Sequence, residues 1–148
     1  MNPGKRTVSA FFEKDHDEID ALLAAVDFKD AAAALPKLQE FDRRLERHIV
    51  WEEEVLFPAA ARAEPELARG PIAVMRLEHV DIRAGKSRAL ECLRKADGAG
   101  ARSRIDEMLA VLSGHNMKEE HMLYPACDEL IPAEEVGRIL DLLEASPR

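Results

Sequence analysis

The sequence predicts an all-α protein: an antiparallel up-down four-helix bundle with a short additional C-terminal helix, residues 1–148 forming a single domain. Three observations predict it. Ala and Leu are plentiful, aromatics make up only 5% and charged residues 34% of the 148-residue chain, the composition of helices with one solvated face. Apolar residues recur at spacings of three and four along several runs, the period that lines one face of a helix. The connections between runs are short, and a short loop forces consecutive helices to pack side by side in opposite directions.

Each helix follows from its stripe. Phe12, His16, Ile19, Leu23 and Val26 predict a first helix over about 9–26, which "DFKD" interrupts. Leu38, Phe41, Leu45, His48, Glu52, Val55 and Ala59 predict a second over about 36–62, with Pro36 tolerated in its first turn. After "AEPELARGP", Pro71 opens a third helix carrying Ile72, Met75, His79, Ile82, Lys86, Ala89 and Leu93. Lys86 is the polar misfit on that stripe. "KADGAGA" supplies a stop, and Ile105, Met108, Leu112, His115, Glu119, Met122 and Ala126 mark the fourth helix. Val136, Ile139, Leu140 and Leu143 then line a short helix over about 132–145 that caps the bundle or offers a contact surface. Pro58 and Pro125 each remove a backbone donor and predict a kink or an end at that point.

Bulk properties exclude several classes. A net charge of -8 with no long Lys/Arg cluster argues against nucleic acid as a partner. No apolar run approaches the ~20 residues of a membrane helix, and "MNPGKRTVSAFF" is too short in its apolar part for a secretory signal. A soluble, cytoplasmic protein that does not engage a membrane is expected. Cys92 and Cys127 lie far apart with no C-x-x-C pairing, as expected for reduced, structural thiols.

Six ionisable side chains lie on the inward stripes: His16, His48, Glu52, His79, His115 and Glu119. Stripping water from an unpaired charge costs several kcal/mol, roughly, so such groups need partners inside. Residues four apart on a helix point within about 40° of each other, one turn along. His48 and Glu52 meet that condition, as do His115 and Glu119. Glu53, Glu54, Glu120 and His121 are rotated by about 140° or 240° from their histidines, which predicts solvent exposure. By the same arithmetic Phe57 and Tyr124 lie about 180° away and are expected not to reach the site. A single histidine on an apolar stripe reads as a satisfied core residue, whereas four with two phased glutamates read as one metal layer. Imidazole and carboxylate donors suit Fe, Mn or Zn, and this set divides naturally between two ions.

The segments "DHDEIDALL", "HIVWEEEVLFP", "LEHVDIR" and "HNMKEEHMLYP" together resemble the hemerythrin-like HHE cation-binding domain over about residues 8–127. The resemblance implies a bundle around two iron ions bridged by an oxo or hydroxo group and two carboxylates. His16 and His48 would hold one iron, His79 and His115 the other, with Glu52 and Glu119 bridging. Oxygen-carrying hemerythrins are similar but have one more histidine on the third helix, where this chain has Met75 and Arg83. Their second bridging carboxylate is an Asp five residues after its histidine. Fewer protein donors mean more open coordination, which suits a sensing or reactive centre.

Asp20, one turn beyond His16, is a further candidate as a ligand, as a partner of the outer imidazole nitrogen, or as a surface residue. Phe12, Met75, Ile82 and Met122 flank the layer as ordinary core. The expected function is binding or sensing of oxygen, nitric oxide, peroxide or iron. The alternative is an enzyme reducing peroxide or nitric oxide, or donating iron for repair. A metal-free or zinc-filled interaction module is a third reading.

Overall fold

The computed structural model describes residues 6–146, so the first five residues of the N-terminal segment considered above lie outside it. In chain order the elements are α1 (Val8–Ala24), α2 (Ala31–Trp51), the π-helical turn π1 (Glu52–Leu56), α3 (Phe57–Ala63), α4 (Glu66–Arg69), α5 (Pro71–Arg94), α6 (Gly98–Lys118), π2 (Glu119–Leu123), α7 (Tyr124–Leu130) and α8 (Ala133–Glu144). Segments α2, π1 and α3 run on as one long helix, as do α6, π2 and α7. The predicted bundle is therefore present: α1 packs on α2, α2 on α5, α5 on α6, and α7 returns to α1. No helix among the described residues is long and apolar enough to cross a membrane.

Local chemistry sets the helix ends. Thr7 caps α1 by accepting from the Ala10 N–H (3.0 Å), and Asp128 of α7 accepts from the Val8 and Ser9 N–H groups (2.6 and 3.1 Å). A carboxylate there satisfies orphan donors and complements the helix dipole. Asp30 caps α2, which begins five residues before the predicted start, so Pro36 lies in the second turn and not the first. Asp97 accepts from the Gly100 N–H (2.8 Å) and starts α6 inside the glycine-rich stretch expected to be connection only. Gly85 permits the close approach of α5 and α6, since a Cβ there would lie 2.8 Å from Met108 Cβ.

Two apolar clusters fill the bundle. One contains Phe12, Trp51, Leu56, Phe57, Met75, Leu123 and Tyr124, with Val136, Ile139, Leu140 and Leu143 of α8. The predicted C-terminal stripe is thus buried, and α8 caps this end. The other cluster contains Ile19, Phe41, Leu45, Ile82, Ile105 and Leu112. Along every long helix the predicted polar residue falls between the two. Lys86, the misfit, is buried and paired with Asp42 and Glu46 at 3.1 and 3.2 Å.

The π turns correct the sequence reading most. Each inserts one residue into the helix just after the inward glutamate and shifts the following phase by about 100°. Met122, expected inside, is 50% exposed, and Ala126 is half-buried. Leu123, Tyr124 and Cys127 take the interior instead. In the first copy Val55 is half-buried while Leu56 and Phe57 are buried. Nor do Pro58 and Pro125 end their helices, which run on to Ala63 and Leu130. A proline ring clashes with the carbonyl four residues back, and the wide turn immediately before each proline moves that carbonyl away.

The phase shift has a direct test in denaturant unfolding of the metal-free protein. Leu123→Ala is expected to cost about 2–5 kcal/mol, and Met122→Ala to stay within about 0.5 kcal/mol. The reverse order would mean that the helix continues without the extra residue.

Candidate metal centre

The four inward histidines and two inward glutamates meet in one layer, each at most 3% exposed. The rings pair across helices, His16 with His48 at 4.5 Å between centroids and His79 with His115 at 4.8 Å. The glutamates lie between the pairs. Glu52 Oε1 faces His79 Nε2 at 3.1 Å and its Oε2 faces His48 Nε2 at 3.6 Å. Glu119 Oε1 faces His16 Nε2 and its Oε2 faces His115 Nε2, both at 3.3 Å. Each carboxylate therefore presents one oxygen to each histidine pair.

Behind every ring stands a second carboxylate. His16 Nδ1 contacts Glu120 Oε2 at 2.7 Å, and His48 Nδ1 contacts Asp15 Oδ2 at 2.8 Å. His79 Nδ1 contacts Glu53 Oε2 at 2.7 Å, and His115 Nδ1 contacts Glu78 Oε1 at 3.0 Å. An ionised carboxylate only accepts, so each Nδ1 donates and each Nε2 is turned to the centre. The belt is cyclic: α1 supplies the carboxylate for α2, π1 for α5, α5 for α6, and π2 for α1. Cations hold three of these carboxylates from outside. Arg44 reaches Asp15 at 3.1 Å, Arg83 reaches Glu53 at 3.1 Å, and Lys118 pairs with Glu78.

This belt corrects the expectation that Glu53 and Glu120 face solvent. Rotation by about 140° from a histidine of the same helix does not aim a side chain at water; it aims it at the neighbouring helix. Asp15 and Glu78 were not anticipated, yet each directly precedes a site histidine, just as Glu53 and Glu120 directly follow a site glutamate. Adjacency is the signal that could have found all four. Glu54, His121 and Asp20 are exposed, which agrees with the surface reading of each.

The π turns bring in two further residues expected to point away. Phe57 stacks on His79 at 6.0 Å with an interplanar angle of 9°. The Tyr124 hydroxyl lies 2.7 Å from Glu52 Oε2, 3.0 Å from Glu119 Oε1, 3.2 Å from His48 Nε2 and 3.3 Å from His16 Nε2. Phe12 closes the wall, 5.3 Å from the His48 ring and 5.1 Å from that of Tyr124.

The donor set fits a metal. Glu52, His79, His115 and Glu119 bring ligand atoms within 4.8 Å of one another, and so do His16, His48 and Glu119. Glu119 Oε2 is buried and has no hydrogen-bond partner, an orphaned carboxyl oxygen that a cation would satisfy. Cys127 and Cys92 are free thiols, and neither belongs to the two donor groups; burial pushes the Cys127 thiol up to about 12.

Without a cation the layer must neutralise itself. Burial alone would lower the His48 pKa, but Glu52, Asp15 and Glu119 outweigh burial and push it up to about 10. The His115 pKa rises in the same way against its burial, beside Glu119 and Glu52. Burial would raise Glu52, yet Glu119 and the histidines hold it well below the ordinary 4.5, and His48 and Arg44 likewise hold Asp15 below 3.8. A raised histidine contributes its stability in full below its ordinary value and loses it as pH climbs through the folded value. A depressed carboxylate contributes above its ordinary value and loses that stability as pH falls. The denaturation midpoint of metal-free protein is therefore expected to be highest between pH 4.5 and 6.5 and to decline steadily up to pH 10. A midpoint that rose over that upper range would contradict the pairing.

Comparison with curated proteins and with solved structures gives no match. The model of the hemerythrin HHE cation-binding domain matches residues 7–127, the span that contains all of the histidines, glutamates and outer carboxylates just described. With its buried His/Glu layer inside an all-helical bundle, the chain belongs to the hemerythrin HHE cation-binding family.

Proposed function

We propose that the protein, acting as one domain, holds two iron ions and uses them to bind or sense a small ligand such as oxygen, nitric oxide or peroxide. One observation carries the two-metal reading: Glu52 and Glu119 each turn one oxygen to the His16/His48 pair and the other to the His79/His115 pair. A carboxylate that spans two donor groups in this way is suited to bridging two ions. The assigned ligands are His16, His48, His79 and His115, with Glu52 and Glu119 as bridges.

When bound, the irons would supply a redox-active centre with exchangeable positions. The chain's own residues do the rest. The carboxylate belt orients the four imidazoles and raises their basicity as donors. Burial between two apolar clusters limits what can enter, so that small uncharged molecules are favoured over larger or charged ones. Iron carriage alone would need no such sealed layer. The third helix offers one histidine fewer than in oxygen-carrying hemerythrins, with Met75 and Arg83 at the flanking positions, which favours a second reading, an enzyme that turns over peroxide or nitric oxide.

Iron analysis separates these readings. The wild-type protein is expected to retain two equivalents of iron after aerobic reconstitution, and His115→Ala to retain fewer and to melt at lower temperature. Asp15→Asn, which keeps the shape but removes the charge behind His48, is expected to weaken metal binding about 10–100-fold. A binder then shows a saturable spectral change with nitric oxide or oxygen, while an enzyme consumes peroxide or nitric oxide in excess over protein. Wild-type protein that stays colourless and iron-free would exclude both.

A further inference from the structure

At their aromatic positions the two halves of the layer differ by one atom. "HIVWEEEVLFP" and "HNMKEEHMLYP" superpose His48 on His115, Glu52 on Glu119 and Phe57 on Tyr124. Each π turn then swings its aromatic residue to the histidine of a neighbouring helix: Phe57 lies 6.0 Å from the His79 ring and Tyr124 5.7 Å from the His16 ring. The places are equivalent, but only Tyr124 brings an oxygen.

That oxygen is unusually placed. It contacts Glu52 Oε2 at 2.7 Å, Glu119 Oε1 at 3.0 Å, His48 Nε2 at 3.2 Å and His16 Nε2 at 3.3 Å. Two neighbouring pairs of those four atoms are themselves 3.3 and 3.6 Å apart. In a six-coordinate shell with bonds of ~2.1 Å, adjacent donors stand ~3.0 Å apart. Tyr124 Oη, within 3.3 Å of all four of these atoms, thus stands at the spacing of a fellow donor in one coordination shell. The phenol can accept from the two imidazoles but has a single proton to donate, so hydrogen bonding leaves one of its two carboxylate contacts without a proton. The His79/His115 pair has its two nitrogens, Glu52 Oε1 and Glu119 Oε2, and the inert face of Phe57.

We propose that Tyr124 is itself a metal ligand, giving its oxygen to the ion at His16 and His48. The two ions then occupy unequal shells, and the exchangeable position belongs to the ion at His79 and His115. This rests on the two-iron reading. On ligation the phenolic O–H bond breaks, a metal–oxygen bond forms and the proton leaves to solvent; no electron is transferred. A hard phenolate oxygen suits ferric iron and adds a negative charge to one side alone, so the two ions should differ in reduction potential.

The chain contains one tyrosine, so any tyrosinate signal belongs to Tyr124 without a variant. Metal-free wild-type protein is loaded with iron, oxidised in air, and examined by visible absorption and resonance Raman spectroscopy, with and without ring-deuterated tyrosine. The expected result is a phenolate-to-iron charge-transfer band whose enhanced ring modes shift on deuteration. Tyr124→Phe, which gives both halves a phenyl ring, is expected to keep two irons and lose both signals. Two bound irons with no tyrosine modes in the wild type would overturn the ligand assignment and leave the two-iron reading standing. Failure of the wild type to take up iron would overturn both.

Discussion

Everything in this bundle is organised around one constraint, a dry layer of ionisable groups that must be paired. Six of them, at most 3% exposed, lie between two apolar clusters, where an unpaired charge is prohibitively unfavourable. The pairing is solved twice over. Inside, imidazole nitrogens face two carboxylates; outside, each imidazole rests on another carboxylate, three of which meet an Arg or Lys near the surface. The alternation of charge from centre to rim lets a strongly polar layer cross an otherwise apolar interior.

The belt also explains why the helices stand in this order. Each supplies a carboxylate to the histidine of the next, so every neighbouring contact around the ring carries one charge-assisted hydrogen bond. Such bonds are short, directional and stronger than neutral ones. They orient the imidazoles before any metal arrives, and that preorganisation separates a binding site from a chance cluster of polar residues.

The π turns add what regular helices would not. An uninterrupted α-helix keeps the glutamate four residues beyond the histidine inside and sends the next aromatic to the far side. One extra residue after Glu52 and after Glu119 leaves the glutamates in place and rotates Phe57 and Tyr124 back to the centre. The prolines that follow make the wide turn the favourable local solution, since a narrow one would drive the ring into a carbonyl. A repeat that looks symmetric is thereby given two chemically different aromatic faces.

The sequence by itself determined the class, the stripes and the inward polar layer, because helical period and the cost of burying charge are local rules that apply residue by residue. Glu54 and His121 could be set aside on phase alone, and the burial of Val136, Ile139, Leu140 and Leu143 was legible from spacing. Only the tertiary structure decided what depends on a neighbouring helix or on a change of helical pitch. Glu53 and Glu120 are rotated away from their own histidines and are nonetheless part of the layer, because the helix beside them offers another imidazole. Met122 and Tyr124 exchanged places because the pitch changed at Glu119. Hydrophobic period reports the face that a uniform helix would bury; which partner waits at each face, and where the turn widens to meet it, is settled only when the helices pack together.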